Sequence, residues 1–349
     1  MFGRDQKMLR TFFKKIFPWL VAAAIFAYLF NKYPIEHVWN SLKLMNIPYF
    51  CALAICYFVL MYFLDTFVIT KILCHFGHEA SFKELLPARG LTYLIMIINY
   101  AASQAAFALY QNRKHGLAMS EMFGIFGIIV ALDLYILAVL AFVTTFFTTW
   151  PFEIWGMNIA YFVRAFTLVG IVLFALNLLF WRGAFGNIKF LEKFRTKDFF
   201  SVLSRARLRD YVVVGLYRLP VHIFIMVGMY IAIKPFNATV PFVNVLSNIP
   251  IIFFIGVLPI SPGGIGASNV ALVELLKPFI TSPLIAQGIA TAGDLLLSFS
   301  LVWMLANYIM KAVTGVICLK FVSKDLFKTG GEKKEGQSVP DVAALSGDL

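Results

Sequence analysis

The chain has 349 residues, 60% hydrophobic and only 14% charged, with a mean hydropathy of +0.82. Ordinary globular chains are about 45–50% apolar and about 25% charged. A soluble globular enzyme is therefore excluded, and so is a disordered chain, which needs low hydrophobicity and high charge.

Five basic residues, Arg4, Lys7, Arg10, Lys14 and Lys15, precede the first apolar run at roughly 16–31. The pattern imitates a signal peptide, but no small-x-small cleavage site follows Phe30, so a retained first helix is expected. Further apolar segments cover roughly 49–73, 91–110, 122–149, 159–181, 211–233, 238–260, 264–280 and 284–319, the last long enough for one extended helix or two short ones. They are continuous over about 20 residues and do not alternate over about 10, which selects helices over barrel strands. The predicted fold class is all-α: a polytopic helical membrane protein with roughly 6–8 spanning helices and two re-entrant or broken segments. The helical domain takes residues 1–319, and 320–349 form a polar cytoplasmic tail, expected to be disordered.

Thirty Lys+Arg against 18 Asp+Glu give a formal charge of +12. Its placement argues for topology and lipid contact, not for nucleic acid. Residues 182–210 hold eight basics, and short basic segments beside apolar helices mark the cytoplasmic side. With the N-terminus and loop 182–210 both cytoplasmic, an even number of crossings must separate them. Five apolar segments lie between, so one does not cross. Segment 91–110 is the weakest, with Asn99, Ser103 and Gln104 among small residues and basics on both flanks (Lys83 and Arg89; Arg113 and Lys114). A re-entrant hairpin over 85–112 follows, and with it a cavity, because non-helical backbone at membrane depth is tolerated only against protein or water. Loop 150–158, which has no basic residue, then falls outside. The expected location is the inner (plasma) membrane, with both termini cytoplasmic. Segment 187–209 mixes Phe and Leu with basics, as an interfacial amphipathic helix or a solvated connector would.

The second break is LPISPGGIG, residues 258–266. Pro259 and Pro262 remove backbone donors, and Gly263, Gly264 and Gly266 admit positive φ, so no continuous helix survives. The stretch after it is about four turns long and starts with Ser268 and Asn269, which can cap it. Such a terminus presents free N–H groups and partial positive charge to an anion. A simple loop between two spans is the plainer alternative. One broken element in each half is the layout of transporters built from inverted repeats, with 49–149 matching 211–319 by layout alone.

Ionisable residues inside spans are costly and face protein or water. Asp133, Arg164, Arg218 and Asp294 are such residues, with His222 one turn beyond Arg218; Asp65 reads as interfacial. They could pair to hold helices together, or line a polar cavity in which arginine forks hold phosphate. The candidate lipid-binding set is Asn99, Asp133, Arg164, Arg218, Gly263, Gly264, Gly266, Ser268, Asn269 and Asp294. HFGHE (His75, His78, Glu79) is the one His/acid cluster, interrupted by Gly77. No metal, catalytic residue or cofactor is expected.

At LPISPGGIGASNVALVELL the chain resembles the flippase-like membrane domain of the lysylphosphatidylglycerol synthase transmembrane-region family. The likeness runs from the first span to about residue 319. It rests on Pro262, Gly263, Gly264, Ile265 and Gly266, and more weakly on Asn99, Arg113, Gly116, Ser120 and Asp133. The resemblance implies a lipid-handling helical domain with re-entrant segments. Two departures bear on headgroup preference: Asn269 stands where the family often has Glu, and Asp294 where it often has Arg. The synthase members carry a soluble aminoacyltransferase domain that has no counterpart here, so aminoacyl transfer is not expected.

Three functions remain open. The first is a flippase-like transporter of an anionic phospholipid or lipid-linked envelope precursor; no G-x-x-x-x-G-K-[ST] is present, so the drive is not an ATPase of its own. The second is an integral membrane enzyme on lipid-linked substrates. The third is an accessory subunit of envelope biogenesis. The expected partners are a membrane lipid with an anionic headgroup and an enzyme that supplies it.

Overall fold

The computed structural model describes residues 19–148, 150–154, 156–184, 200–257 and 264–327. The basic N-terminus, most of loop 182–210, Gly263 with both break prolines, and the tail after 327 lie outside the described residues.

Helix α1 (Trp19–Lys32) leads through α2 (Ile35–Lys43) into α3 (Ile47–His75). Asn46 caps α3 by accepting the Tyr49 N–H at 3.1 Å, and Pro48 fits the first turn, where its missing donor costs nothing. Next come α4 (Phe82–Ile98), α5 (Tyr100–His115) and α6 (Met119–Thr144). A two-residue antiparallel ribbon, β1 (Glu153–Ile154) with β2 (Met157–Asn158), turns the chain into α7 (Ile159–Trp181). The second half holds the short α8 (Ser201–Arg205), α9 (Leu208–Ala232), α10 (Phe242–Val257), α11 (Ala267–Leu276), the single turn α12 (Pro283–Ala286) and α13 (Ala292–Phe327). The long terminal apolar run is thus the turn α12 followed by one extended helix, which continues eight residues past the boundary expected at 319. Among the described residues, five helices (α3, α6, α7, α9, α13) are long and apolar enough to cross a membrane. The architecture is all-α and polytopic.

Helices α4 and α5 form a hairpin. Asn99 sits between them in extended backbone (φ −156°, ψ 120°), ending α4 and capping α5 by accepting the Ala102 N–H at 2.9 Å. Glu84, in the first turn of α4, lies 3.7 Å from Lys114, in the last turn of α5. The two helices therefore run antiparallel and Asn99 is the tip, as the sequence predicts for 85–112. Helices α10 and α11 also pack on each other across the glycine-rich break.

The helix pairings repeat between the halves. Helix α3 packs on α9. Helix α4 packs on α13 as α10 packs on α6, and α2 packs on α13 as α8 packs on α6. Likewise α5 meets α6 as α11 meets α13, and α3 meets α13 as α9 meets α6. Exchanging α2–α6 for α8–α11 plus α13 maps these pairings onto one another. The repeat inferred from layout thus extends to packing. In each case the hairpin of one half is held by the last long helix of the other.

Small residues allow this crossing. A Cβ on Gly315 of α13 would lie 2.5 Å from Leu94 Cβ and 3.3 Å from the Gly90 carbonyl of α4. Close backbone approach through small residues is how helices associate where lipid tails remove the hydrophobic drive. Two apolar cores flank the crossing. One is built around Ile249, Leu296, Phe299 and Phe236, the other around Ile72, Phe107, Ile128 and Val214. By contrast α7 exposes Leu168, Val169, Val172 and Leu173 on its outer face.

Candidate functional site: a buried ion network beneath the first hairpin

Four helices bring charged groups to one point, and a fifth adds a neutral amide. Arg218 and His222 lie four residues apart on one face of α9, as do Arg89 and Tyr93 on α4. Arg218 Nε and Nη2 donate to Asp133 Oδ1 and Oδ2 of α6 at 2.7 and 2.8 Å, a two-pronged pair, and Nη1 donates to Asp65 Oδ1 of α3 at 3.1 Å. The other Asp65 oxygen accepts from Arg89 Nε at 2.8 Å and from the Tyr93 hydroxyl at 3.0 Å. Arg89 Nη1 reaches Gln104 Oε1 of α5 at 3.4 Å, and its guanidinium lies over the Tyr93 and Phe107 rings. His222 Nε2 stands 2.9 Å from Asp133 Oδ1. Asp65 and Arg89 are 5% exposed and Arg218 8%, so these charges are out of water. Two carboxylates and two guanidiniums balance. Buried charges survive when paired and hydrogen-bonded in this way.

Two residues stand elsewhere than expected. Asp65 is not interfacial; it is the hinge of the network, bonded to both arginines. Arg89, counted as a flanking topology charge, is buried inside the hairpin. It stands within the 85–112 segment, and a charge inside a candidate re-entrant segment is the signal that would have found it. Asp133 and Arg218 are brought together, and all three Arg218 nitrogens bond to carboxylates, so its charge is already matched by Asp133 and Asp65.

The other candidates stand apart. Arg164 donates from Nε to Thr145 Oγ1 and from Nη2 to the Thr145 carbonyl, both at 2.8 Å, and packs over Phe146. It closes the C-terminus of α6, where a cation suits the exposed carbonyls. Thr145 is about 18 Å along α6 from Asp133 at 1.5 Å per residue. Asp294 sits in the first turn of α13, accepting from the Thr291 N–H and hydroxyl at 3.1 and 2.6 Å. It is a cap, not a mid-span acid. Asn99 is the hairpin tip.

At the second break, Asn269 Oδ1 accepts the Gly266 N–H at 3.0 Å, and its amide donates to Ser300 of α13 at 2.6 Å. Ser268 donates to the Gly264 carbonyl at 2.8 Å. Both polar residues fasten the turn itself. Gly264 (φ +76°) lies against the α10 backbone: a Cβ there would be 2.5 Å from the Gly256 oxygen. Gly266 (φ +86°) faces Ile25 of α1. Both glycines adopt the positive φ expected of them, and each lies close against protein. In HFGHE the two histidines diverge, with His75 2.9 Å from Asp210 and His78 3.6 Å from Glu121. Among the described residues no group of three or more His, Cys, Asp or Glu is set to hold a metal.

No curated protein and no solved structure matches the chain. The family model described as the lysylphosphatidylglycerol synthase TM region matches residues 16–315. That span contains both hairpins, the whole ion network and the crossed packing of the two halves. The chain therefore belongs to the lysylphosphatidylglycerol synthase transmembrane-region family, as a multi-pass integral membrane protein of lipid or envelope biosynthesis.

Proposed function

We propose that the protein moves a phospholipid, or a lipid-linked envelope precursor, between leaflets without hydrolysing ATP. The observation that carries this reading is the pair of helix–break–helix hairpins, each packed against the last long helix of the opposite half. In transporters such broken elements come from inverted repeats, and substrate sits near the bilayer midplane between them. Here α4–α5 and α10–α11 are the two re-entrant elements. With α1, α3 and α6 crossing before α7, the halves have opposite orientation. Both termini and loop 182–210 are then cytoplasmic, and the β1–β2 ribbon is outside. Rocking one half against the other would expose the hairpin tips to each leaflet in turn, and the ion network would fix the first hairpin to α3, α6 and α9 during that motion.

Reconstitution in liposomes carrying a fluorescent phospholipid tests the reading. The protein should speed the loss of quencher-protected signal over empty liposomes, without ATP; equal rates would sink it. Orientation has its own test. In a cysteine-free background, Glu153→Cys should react with an impermeant thiol reagent in intact cells, and Arg195→Cys should not. Labelling at 195 would overturn the orientation.

A further inference from the structure

The ion network balances, but one cation beside it does not. Lys311 lies well inside α13 and is half-buried. Among the described residues no carboxylate approaches its ammonium within 4.0 Å; its marked neighbour is the Tyr308 ring, 6.0 Å away. The charges that act on it are Arg89 and Asp65, both already engaged in the network.

Its level in the molecule follows from packing. Cys318 lies against Gly90 and Tyr62, Gly315 against Leu94, and Met310 joins the cluster that holds Met96. Helix α13 thus runs antiparallel to α4, and Lys311 comes level with the hairpin tip. At that tip Ile98 is 85% exposed, and Asn99 and Tyr100 are exposed too. Tyr100 stands within the field of the same network charges. Asn99 satisfies the Ala102 N–H and, through its carbonyl, that of Ser103. The earlier N–H groups of α5 have no partner inside the helix. Polar groups left open at membrane depth call for water or a ligand. A cation, a tyrosine hydroxyl and helix N–H donors together call for an oxyanion.

We propose that Lys311 binds the phosphate of an anionic membrane phospholipid at the tip of the first hairpin, with the start of α5 and the Tyr100 hydroxyl as further donors. The assignment rests on the lipid-transport reading and gives it a headgroup site, placed at Lys311 because the Arg218 charge is already matched by two carboxylates.

The test uses the full chain in mixed micelles of a neutral detergent, with short-chain phosphatidylglycerol as the probe and inorganic phosphate as a parallel ligand. Lys311→Met, which keeps the stem and drops the charge, should weaken phosphatidylglycerol binding about tenfold or more, while Lys311→Arg keeps most of it. The melting temperature of Lys311→Met without lipid should be unchanged or higher, since an unneutralised charge has been removed. A lower melting temperature with unchanged lipid binding would mean that Lys311 serves packing, and would overturn the site. Binding of inorganic phosphate as tightly as the lipid would assign the site to a soluble anion and overturn it as a lipid site. Translocation in the same preparations separates the two readings. Wild-type transport that survives in Lys311→Met removes only this site. An inactive wild type removes the transport reading itself.

Discussion

Replacing Arg218 by alanine is expected to destabilise the protein by about 3–5 kcal/mol, read as a steep fall in melting temperature in detergent. The guanidinium ties α9 to α6 through two bonds and to α3 through a third. Without it Asp133 keeps only His222, and Asp65 keeps Arg89 and Tyr93, leaving one buried negative charge in excess. Arg218→Lys preserves the charge but not the planar fork that serves two carboxylates at once, so it should fall between wild type and alanine. The double variant Arg218→Gln with Asp133→Asn removes opposite charges together and should recover part of the loss. Lipid binding by the folded fraction of Arg218→Ala should match wild type. A wild-type melting curve for Arg218→Ala would show that the network holds nothing together.

The second large effect is expected at Gly264. Its φ of +76° already disfavours any side chain, and a Cβ would meet the Gly256 oxygen, Cα and carbonyl carbon at 2.5, 2.8 and 3.1 Å. Backbone cannot swing aside as a side-chain tip can. Gly264→Ala should therefore cost about 1–3 kcal/mol for the strained φ and more for the displaced turn, with Gly264→Leu worse and inactive in transport. Gly288 supplies the control: its φ is +69° with nothing within 4 Å of a Cβ. Gly288→Ala should show the φ penalty alone. If the two alanine variants melt together, the contact between break and α10 contributes nothing.

These residues also show how far the sequence could be read. The long spans were legible because apolar runs of membrane length have no other stable use. The first hairpin was legible because its flanks shared a charge sign and its centre was polar. Asp133 and Arg218 were recognisable as intramembrane charges able to pair because both stood inside apolar runs, but which acid meets which arginine was not legible. Asp65 and Arg89 were misplaced because position along a helix reports depth, whereas burial depends on which face meets a neighbour. That neighbour is set by packing between segments far apart in sequence. The same reason hid the true partners of Asn269 and Gly264: sequence shows that a turn needs a cap and a glycine, but not that Ser300 and Gly256 complete it.

The crossed packing of the halves also governs how the chain must be made. Tyr62 and Gly90 lie against Cys318, and Tyr62 and Cys318 are 256 residues apart. At a synthesis rate of about 5–20 residues per second, the first hairpin waits on the order of tens of seconds for its clamp. During that interval the face of α4 that carries Gly90 and Leu94 is without α13, in a membrane that offers no matching surface. The first half is expected to stay with the insertion machinery until the last helix arrives. Truncation before α13 should leave a product that stays bound to that machinery and is then degraded.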